Sequence, residues 1–250
     1  MTDPNRDVPF LIVKTGRAVP EARRGGQDFE DWFADGLGRE RFEFRTVRVD
    51  EGETLPEPDP ARLAGALVTG SPAMVSDRAD WSEATAAWLA EAHRGGLPLL
   101  GVCYGHQLLA HALGGEVGPN PEGRRMGRFE TRAIDPDDAL LAPFAPACAF
   151  HVSHFEAVLR LPDGARVVGR ADHDPHHALH FGGNSWGVQF HPEFDRETMR
   201  AYIEARAEVL DDEGQDPVAL REAVDGPHHG PKLLRRFGDL AILAHTSANA

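Results

Sequence analysis

The sequence is short of several things, and each shortage narrows the reading. Only two of its 250 residues are cysteine, Cys103 and Cys148, too few for a disulfide framework. A reduced, cytoplasmic setting is therefore expected. Basic residues are in deficit, with 26 Lys and Arg against 40 Asp and Glu and a formal net charge of -14. Such a chain repels a phosphate backbone or an anionic membrane overall, and no long Lys/Arg run reverses that locally, so neither nucleic acid nor membrane is expected as a partner. No apolar run approaches the roughly 20 residues that span a bilayer. The opening Met1-Thr-Asp-Pro-Asn-Arg-Asp has no apolar signal core. No internal repeat is present.

What remains is a chain with 41% hydrophobic residues, suited to a sizeable buried core. The apolar run Pro9 to Val13 predicts a first buried strand, and Gly16 to Gly26 a loop. Phe29, Trp32 and Phe33 recur at helical spacing within Asp28 to Leu37, with Gly36 and Gly38 marking the end. Phe42 to Val49 alternates as a strand does, and the Pro- and acid-rich Glu51 to Pro60 reads as an exposed loop. Leu63 to Thr69 and Leu97 to Val102 predict further strands. Asp80 to His93 and Tyr104 to Leu113 predict helices, the latter stopped by Gly114-Gly115. This β-α alternation implies a mainly parallel sheet covered by helices on both faces.

The rhythm changes after Arg128. Phe129 to Ile134, Ala149 to Leu159, Ala165 to Arg170 and Ser185 to Phe190 predict short strands, antiparallel additions with a return to the main sheet, and Phe181-Gly-Gly-Asn-Ser suggests a hairpin. Beyond Glu193 the pattern is helical, with Met199, Tyr202, Ile203, Val209 and Leu210 on one face. Asp216-Pro217 is a good helix start, and Pro231 to Leu243 predicts a last helix, joined through Gly226-Pro-His-His-Gly-Pro. The expected division is a main domain over 8–205 and a helical C-terminal extension over 206–250, with plain core packing as the favoured role of the extension.

One cysteine sits where chemistry would place it. Gly101-Val-Cys-Tyr-Gly has the spacing of a nucleophile elbow, with Cys103 in the place of serine. A sharp strand-to-helix turn crowds the backbone, and glycine fits there. The turn would hold the sulfur above the carboxyl end of the sheet, where open α/β sheets bind ligands, and a helix N-terminus favours a negative sulfur. On its own such a cysteine is as readily a small core residue. Gly187-Val-Gln-Phe-His-Pro-Glu supplies a partner: an apolar strand ends at His191, and Glu193 two residues on can project to the same side. His191 can then take the thiol proton while Glu193 fixes its tautomer. Thr69-Gly-Ser-Pro ends another predicted strand at the same edge. The backbone N–H of Gly70 and that of Tyr104 are candidates for an oxyanion hole. His173, His176, His177 and His180 lack a recognisable metal-ligand spacing, so neither metal nor cofactor is expected. Cys148, on a predicted strand, reads as a buried inert thiol.

Thr69-Gly-Ser-Pro, Gly101-Val-Cys-Tyr-Gly-His-Gln and Gln189-Phe-His-Pro-Glu, in that order, resemble the class I (triad) glutamine amidotransferases, above all the glutaminase domain of GMP synthase and its stand-alone relatives. The similarity runs from about Phe10 to Glu197; Trp81 and Ala110 to Gly115 also fit. The resemblance implies a flavodoxin-like three-layer sandwich and a Cys-His-Glu triad of Cys103, His191 and Glu193. It implies glutamine binding by Gln107, with Gly70, Ser71 and Tyr104 at the oxyanion. It further implies substrate contacts from Ser153 and His154. There the family's Ser-His-Gly-Asp reads Ser153-His-Phe-Glu, so that Phe155 stands in place of a glycine and alters the glutamine pocket. The stretch from Phe194 to Ala250 is too short for the nucleotide-binding synthase domain of GMP synthase, and no Ser-Gly-Gly-x-Asp-Ser loop occurs.

The expected activity is hydrolysis of the side-chain amide of L-glutamine through a γ-glutamyl thioester, the ammonia passing to a separate synthase subunit. The alternative is a stand-alone hydrolase of γ-glutamyl peptides or amides with the same triad. A non-catalytic binding or regulatory protein on this fold is disfavoured by the intact triad. A second hydrolase family with an elbow cysteine places a histidine soon after it, as His106 or His111 would be, but leaves Gln189-Phe-His-Pro-Glu without a role.

Overall fold

The computed structural model describes residues 8–248; Met1 to Asp7, the segment without a signal core, lies outside the described residues. Five strands form the parallel half of the sheet: β1 (Pro9–Lys14), β2 (Glu43–Arg48), β3 (Gly65–Val68), β4 (Leu99–Val102) and, from late in the chain, β11 (Ser185–Val188). They lie in the order β2-β1-β3-β4-β11 with every neighbouring pair parallel. This is the flavodoxin-like 2-1-3-4-5 arrangement, with β11 in fifth place. The antiparallel half continues outward through β10 (Asp174–Gly182), β9 (Arg166–Ala171), β6 (Arg125–Ala133) and β7 (Ala147–His154). The predicted turn at Gly182-Gly-Asn is the hairpin that feeds β10 into β11.

Helices cover both faces, as the alternation predicts. On one, α1 (Phe29–Leu37) and α4 (Arg196–Ala205) bury Phe33, Leu37, Met199 and Ile203 against β1, β4 and β11. On the other, α2 (Asp80–Arg94) and α3 (Tyr104–Ala112) bury Leu89, Ala92, Leu108 and Leu109. The start of α1 is set by a capping box between Asp28 and Asp31. Beyond α5 (Ala207–Asp212) and α6 (Pro217–Glu222), which starts at Pro217 under an Asp216 cap, the long α7 (Gly230–Ala248) returns to the α1 side. Its Leu233, Leu234, Phe237 and Ala241 are buried in the same core as Phe10 and Phe33, so this part of the tail packs as core.

The structure corrects the predicted strand Ala149 to Leu159. The chain breaks at Phe155: β7 joins the large sheet, while β8 (Glu156–Arg160) pairs antiparallel with β5 (Glu116–Pro119) in a separate two-stranded sheet. The break is held by Asn120 N–H donating to Phe155 O (2.9 Å) and by Glu156 Oε2 accepting from Val75 N (2.8 Å). Neither β5 nor β10 is predicted from the sequence. Among the described residues no helix is long and apolar enough to cross a membrane.

Candidate active site

The parallel pairing of β4 with β11 places Val102 beside Val188. The chain therefore leaves both strands at the same edge, β4 into Cys103 and β11 towards His191. Cys103 adopts φ 52° and ψ -103°, a left-handed conformation that a non-glycine residue rarely takes. The elbow survives because its flanks are bare: a Cβ on Gly101 would fall on the carbonyl of Gly105, and one on Gly105 would fall on the carbonyl of Val68. Cys103 N–H donates to Val188 O (2.9 Å), tying the turn to β11.

The sulfur lies 3.5 Å from Ser153 O, to which it donates, and Cys103 and His191 both flank Gly70, where a Cβ would come within 3.9 Å of Cys103 Cβ and 3.0 Å of His191 Cε1. One ring nitrogen of His191, Nδ1, donates to Glu193 Oε1 at 2.7 Å. Both side chains are buried, at 4% and 0% exposure. Burial works against charging the imidazole, yet the Glu193 carboxylate and the Cys103 sulfur outweigh it and push His191 up to about 10 from 6.5. The ring is clamped by Phe194, stacked on it at 4.0 Å between centroids. The arrangement is that of a sulfur nucleophile beside an imidazolium that a carboxylate holds in place.

The oxyanion candidates stand next to this pair. Gly70 abuts it, since a Cβ there would come within 3.0 Å of His191 Cε1. Neither Gly70 N–H nor Tyr104 N–H has a hydrogen-bond acceptor among the described residues. Tyr104 is fixed by its hydroxyl on Ser82 Oγ (2.6 Å) and its ring on Trp81 (5.7 Å).

Cys103, Tyr104, Ser71, Gln107, Ser153, His154 and His191 line one cleft, and Glu193 stands behind His191. Their polar atoms are not equally available. The Ser71 hydroxyl donates to Thr15 O (2.6 Å) and accepts from Ala73 N–H (3.1 Å), so it shapes the turn. Gln107 spends its amide nitrogen on Glu156 O (2.7 Å) and Gln189 Oε1 (3.0 Å), leaving its carbonyl oxygen for a ligand. His154 donates from Nδ1 to Glu156 O (2.8 Å), and burial pushes it down to about 3, so it is neutral near pH 7. Phe155 is half-buried in the cleft wall with the Arg124 guanidinium 5.2 Å above its ring.

The remaining histidines go elsewhere. His106 is wholly buried behind the cleft and held neutral, and His111 pairs with Glu83 (3.0 Å). His176 donates to Val158 O (2.6 Å), His177 to Asp174 (3.2 Å), and His180 stacks on Trp186. Among the described residues no group of three or more His, Cys, Asp or Glu side chains is arranged to hold a metal ion. Cys148 is buried, and burial pushes its thiol up. Sequence reasoning missed Arg17, Arg124, Tyr202 and Arg206, which also line the cleft. Only Tyr202 carried a signal, and it read as core.

The sequence model of the family described as "Glutamine amidotransferase class-I" matches residues 26–208. The chain belongs to the class I glutamine amidotransferases. A GMP synthase (glutamine-hydrolyzing) from Porphyromonas gingivalis is 41% identical over 140 residues, 56% of this chain and 26% of that protein. The match thus spans about a quarter of that relative. Gamma-glutamyl peptidase 5 from Arabidopsis thaliana is 26% identical over 199 residues, 78% of each. A glutamine amidotransferase structure from Thermotoga maritima superposes with a TM-score of 0.77 at 21% identity, covering 95% of this chain and 99% of that one. At that identity the likeness concerns the fold, and it agrees with the flavodoxin-like sheet of this amidotransferase.

Proposed function

We propose that this class I amidotransferase hydrolyses the side-chain amide of L-glutamine with Cys103, His191 and Glu193 as its triad. The observation that carries the reading is the Cys103 elbow beside a His191 whose far nitrogen is 2.7 Å from Glu193. The sulfur attacks the γ-carbonyl carbon. Gly70 N–H and Tyr104 N–H receive the negative charge that develops on oxygen. The C–N bond breaks as His191 passes its proton to the departing nitrogen, and ammonia leaves a γ-glutamyl thioester on Cys103. Water, deprotonated by the now neutral His191, attacks the thioester; the C–S bond breaks, glutamate is released, and the proton His191 took from water restores the starting cysteine–histidine pair. Glu193 keeps the imidazole oriented throughout.

Ammonia set free in this way serves a separate synthase subunit. An Ignicoccus hospitalis protein, named as one subunit of a glutamine-hydrolyzing GMP synthase and 37% identical over 56% of this chain, is a relative of that kind. A second reading, a hydrolase of γ-glutamyl peptides with the same triad, is favoured by Phe155, whose ring and stacked Arg124 occupy the cleft wall. The test is release of glutamate and ammonia from L-glutamine by the purified chain beside Cys103→Ala. Release that disappears in the variant supports the first reading. Release from γ-glutamyl peptides but not from glutamine replaces it with the second.

A further inference from the structure

The cleft reverses the charge of the chain. Against a formal net charge of -14, it is lined by Arg17, Arg124 and Arg206, and its one acid is Glu156. Glu156 is buried with Oε2 engaged by Val75 N–H and Ser76 N–H. A local basic mouth in an acidic protein focuses anions towards the nucleophile.

The three arginines are held differently. Arg124 lies over the Phe155 ring, and its Nε is paired with Glu213 (3.1 Å). Another part of the cleft grows from His191 itself: Phe194 stacks on the imidazole, and Tyr202 of α4 packs on Phe194 with ring centroids 4.6 Å apart. Arg206 follows Tyr202 by one helical turn at the end of α4, so the two side chains share a face. Arg17, on the loop after β1, also lines the cleft and is held by Glu51 (2.7 Å), with both side chains about half exposed. Arg206 is exposed and has neither an ion pair nor a side-chain hydrogen bond among the described residues. His191 hands its proton to the departing nitrogen, so the end of the cleft built on the His191 stack receives whatever that nitrogen carries.

We infer that this end is a carboxylate site. Arg206, with Arg17 on the same cleft, takes the carboxylate of an amino acid or short peptide joined through its nitrogen to the γ-carbonyl. The inference rests on the second reading above, hydrolysis of γ-glutamyl peptides by the same triad, and names what holds their leaving-side carboxylate. A guanidinium grips a carboxylate through two parallel hydrogen bonds, and Arg206 breaks no existing pair to do so. When the leaving group is ammonia, nothing reaches this end and its charge contributes no binding.

The test compares kcat/KM of the full chain on L-γ-glutamylglycine and on L-γ-glutamylmethylamide, which differ by the leaving-side carboxylate alone, with L-glutamine as reference. A solvent-exposed charge pair is worth up to about a 5-fold preference for γ-glutamylglycine. The preference collapses towards one in Arg206→Ala, returns in part in Arg206→Lys, and weakens as salt is raised. A wild-type ratio near one overturns the inference while leaving the hydrolase reading intact. So does an Arg206→Ala variant that loses activity equally on both substrates, since that places Arg206 on the shared glutamyl moiety or in the fold. Absence of any Cys103-dependent cleavage of all three compounds overturns the hydrolase reading, and the inference with it.

Discussion

Replacing Glu193 by glutamine keeps the shape of the triad and removes its charge. The Glu193 side chain is fully buried and its Oε1 holds His191 Nδ1 at 2.7 Å. Two unit charges about 4 Å apart at an effective dielectric of 20 interact by ~4 kcal/mol, about three pH units. That is the scale of the rise of His191 from 6.5 to about 10. Glu193→Gln therefore brings the His191 midpoint down by about three units, because burial is then opposed by the sulfur alone. Near pH 7 His191 is then no longer held firmly protonated, and a charge-assisted hydrogen bond worth ~1.5–3 kcal/mol is lost. The expected fall in kcat/KM is between about 10- and 150-fold. The assay is glutamate release on glutamine and on γ-glutamylglycine, read beside an NMR titration of ring-labelled histidine. A His191 midpoint still near 10 in the variant, or activity indistinguishable from wild type, refutes the role assigned to Glu193.

Four further outcomes follow from the same geometry. His191 has a folded pKa raised above its unfolded value, so its stabilisation is fully present below pH 6.5 and is lost as pH rises through about 10; urea denaturation between pH 7 and 10 should show a steeper loss in wild type than in Glu193→Gln. Gly105→Ala sets a methyl on the Val68 carbonyl, costing ~1–3 kcal/mol of stability by overpacking, and it should abolish glutamate release even where circular dichroism shows a folded chain. Phe155→Gly opens the cleft wall and should raise kcat/KM on glutamine relative to γ-glutamylglycine by about 10-fold. Leu234→Ala removes a fully buried α7 side chain packed on Gly36 and should cost ~2–5 kcal/mol in chemical denaturation, whereas a tail that merely docks would lose far less.

The parallel half of the sheet was legible because buried strands and amphipathic helices leave periodic signals, and Gly101-x-x-x-Gly105 marks a turn that other residues obstruct. The proposed triad could be picked out because each member ends or follows a strand of that half. The break at Phe155 was not, since no glycine or proline interrupts Ala149 to Leu159 and the chain divides it by long-range bonds, from Asn120 and from Val75. β10 stayed hidden for a related reason: its Asp174-Pro-His-His start is polar by composition, yet Asp174 and His177 are buried and hydrogen-bonded to each other inside (3.2 Å). Arg17 and Arg206 lie in no motif. Only the packing of Tyr202 on Phe194, and of Phe194 on His191, brings the end of α4 to the cleft.

That same stack explains why the elbow and the base can be specified separately and still meet. Cys103 is held in a conformation that costs ~1–3 kcal/mol, with Gly101 and Gly105 removing the obstacles and Val188 O supplying the tether. His191 needs no strain. It is bridged to His151 of β7, which in turn donates from Nδ1 to Phe194 O (2.8 Å). The Cys103 backbone is thus fixed by the parallel half of the sheet, while His191, which follows β11, is pinned to β7 of the antiparallel half. The cleft opens where the two meet, so a change in the β6–β7 ladder should move His191 more than the Cys103 backbone.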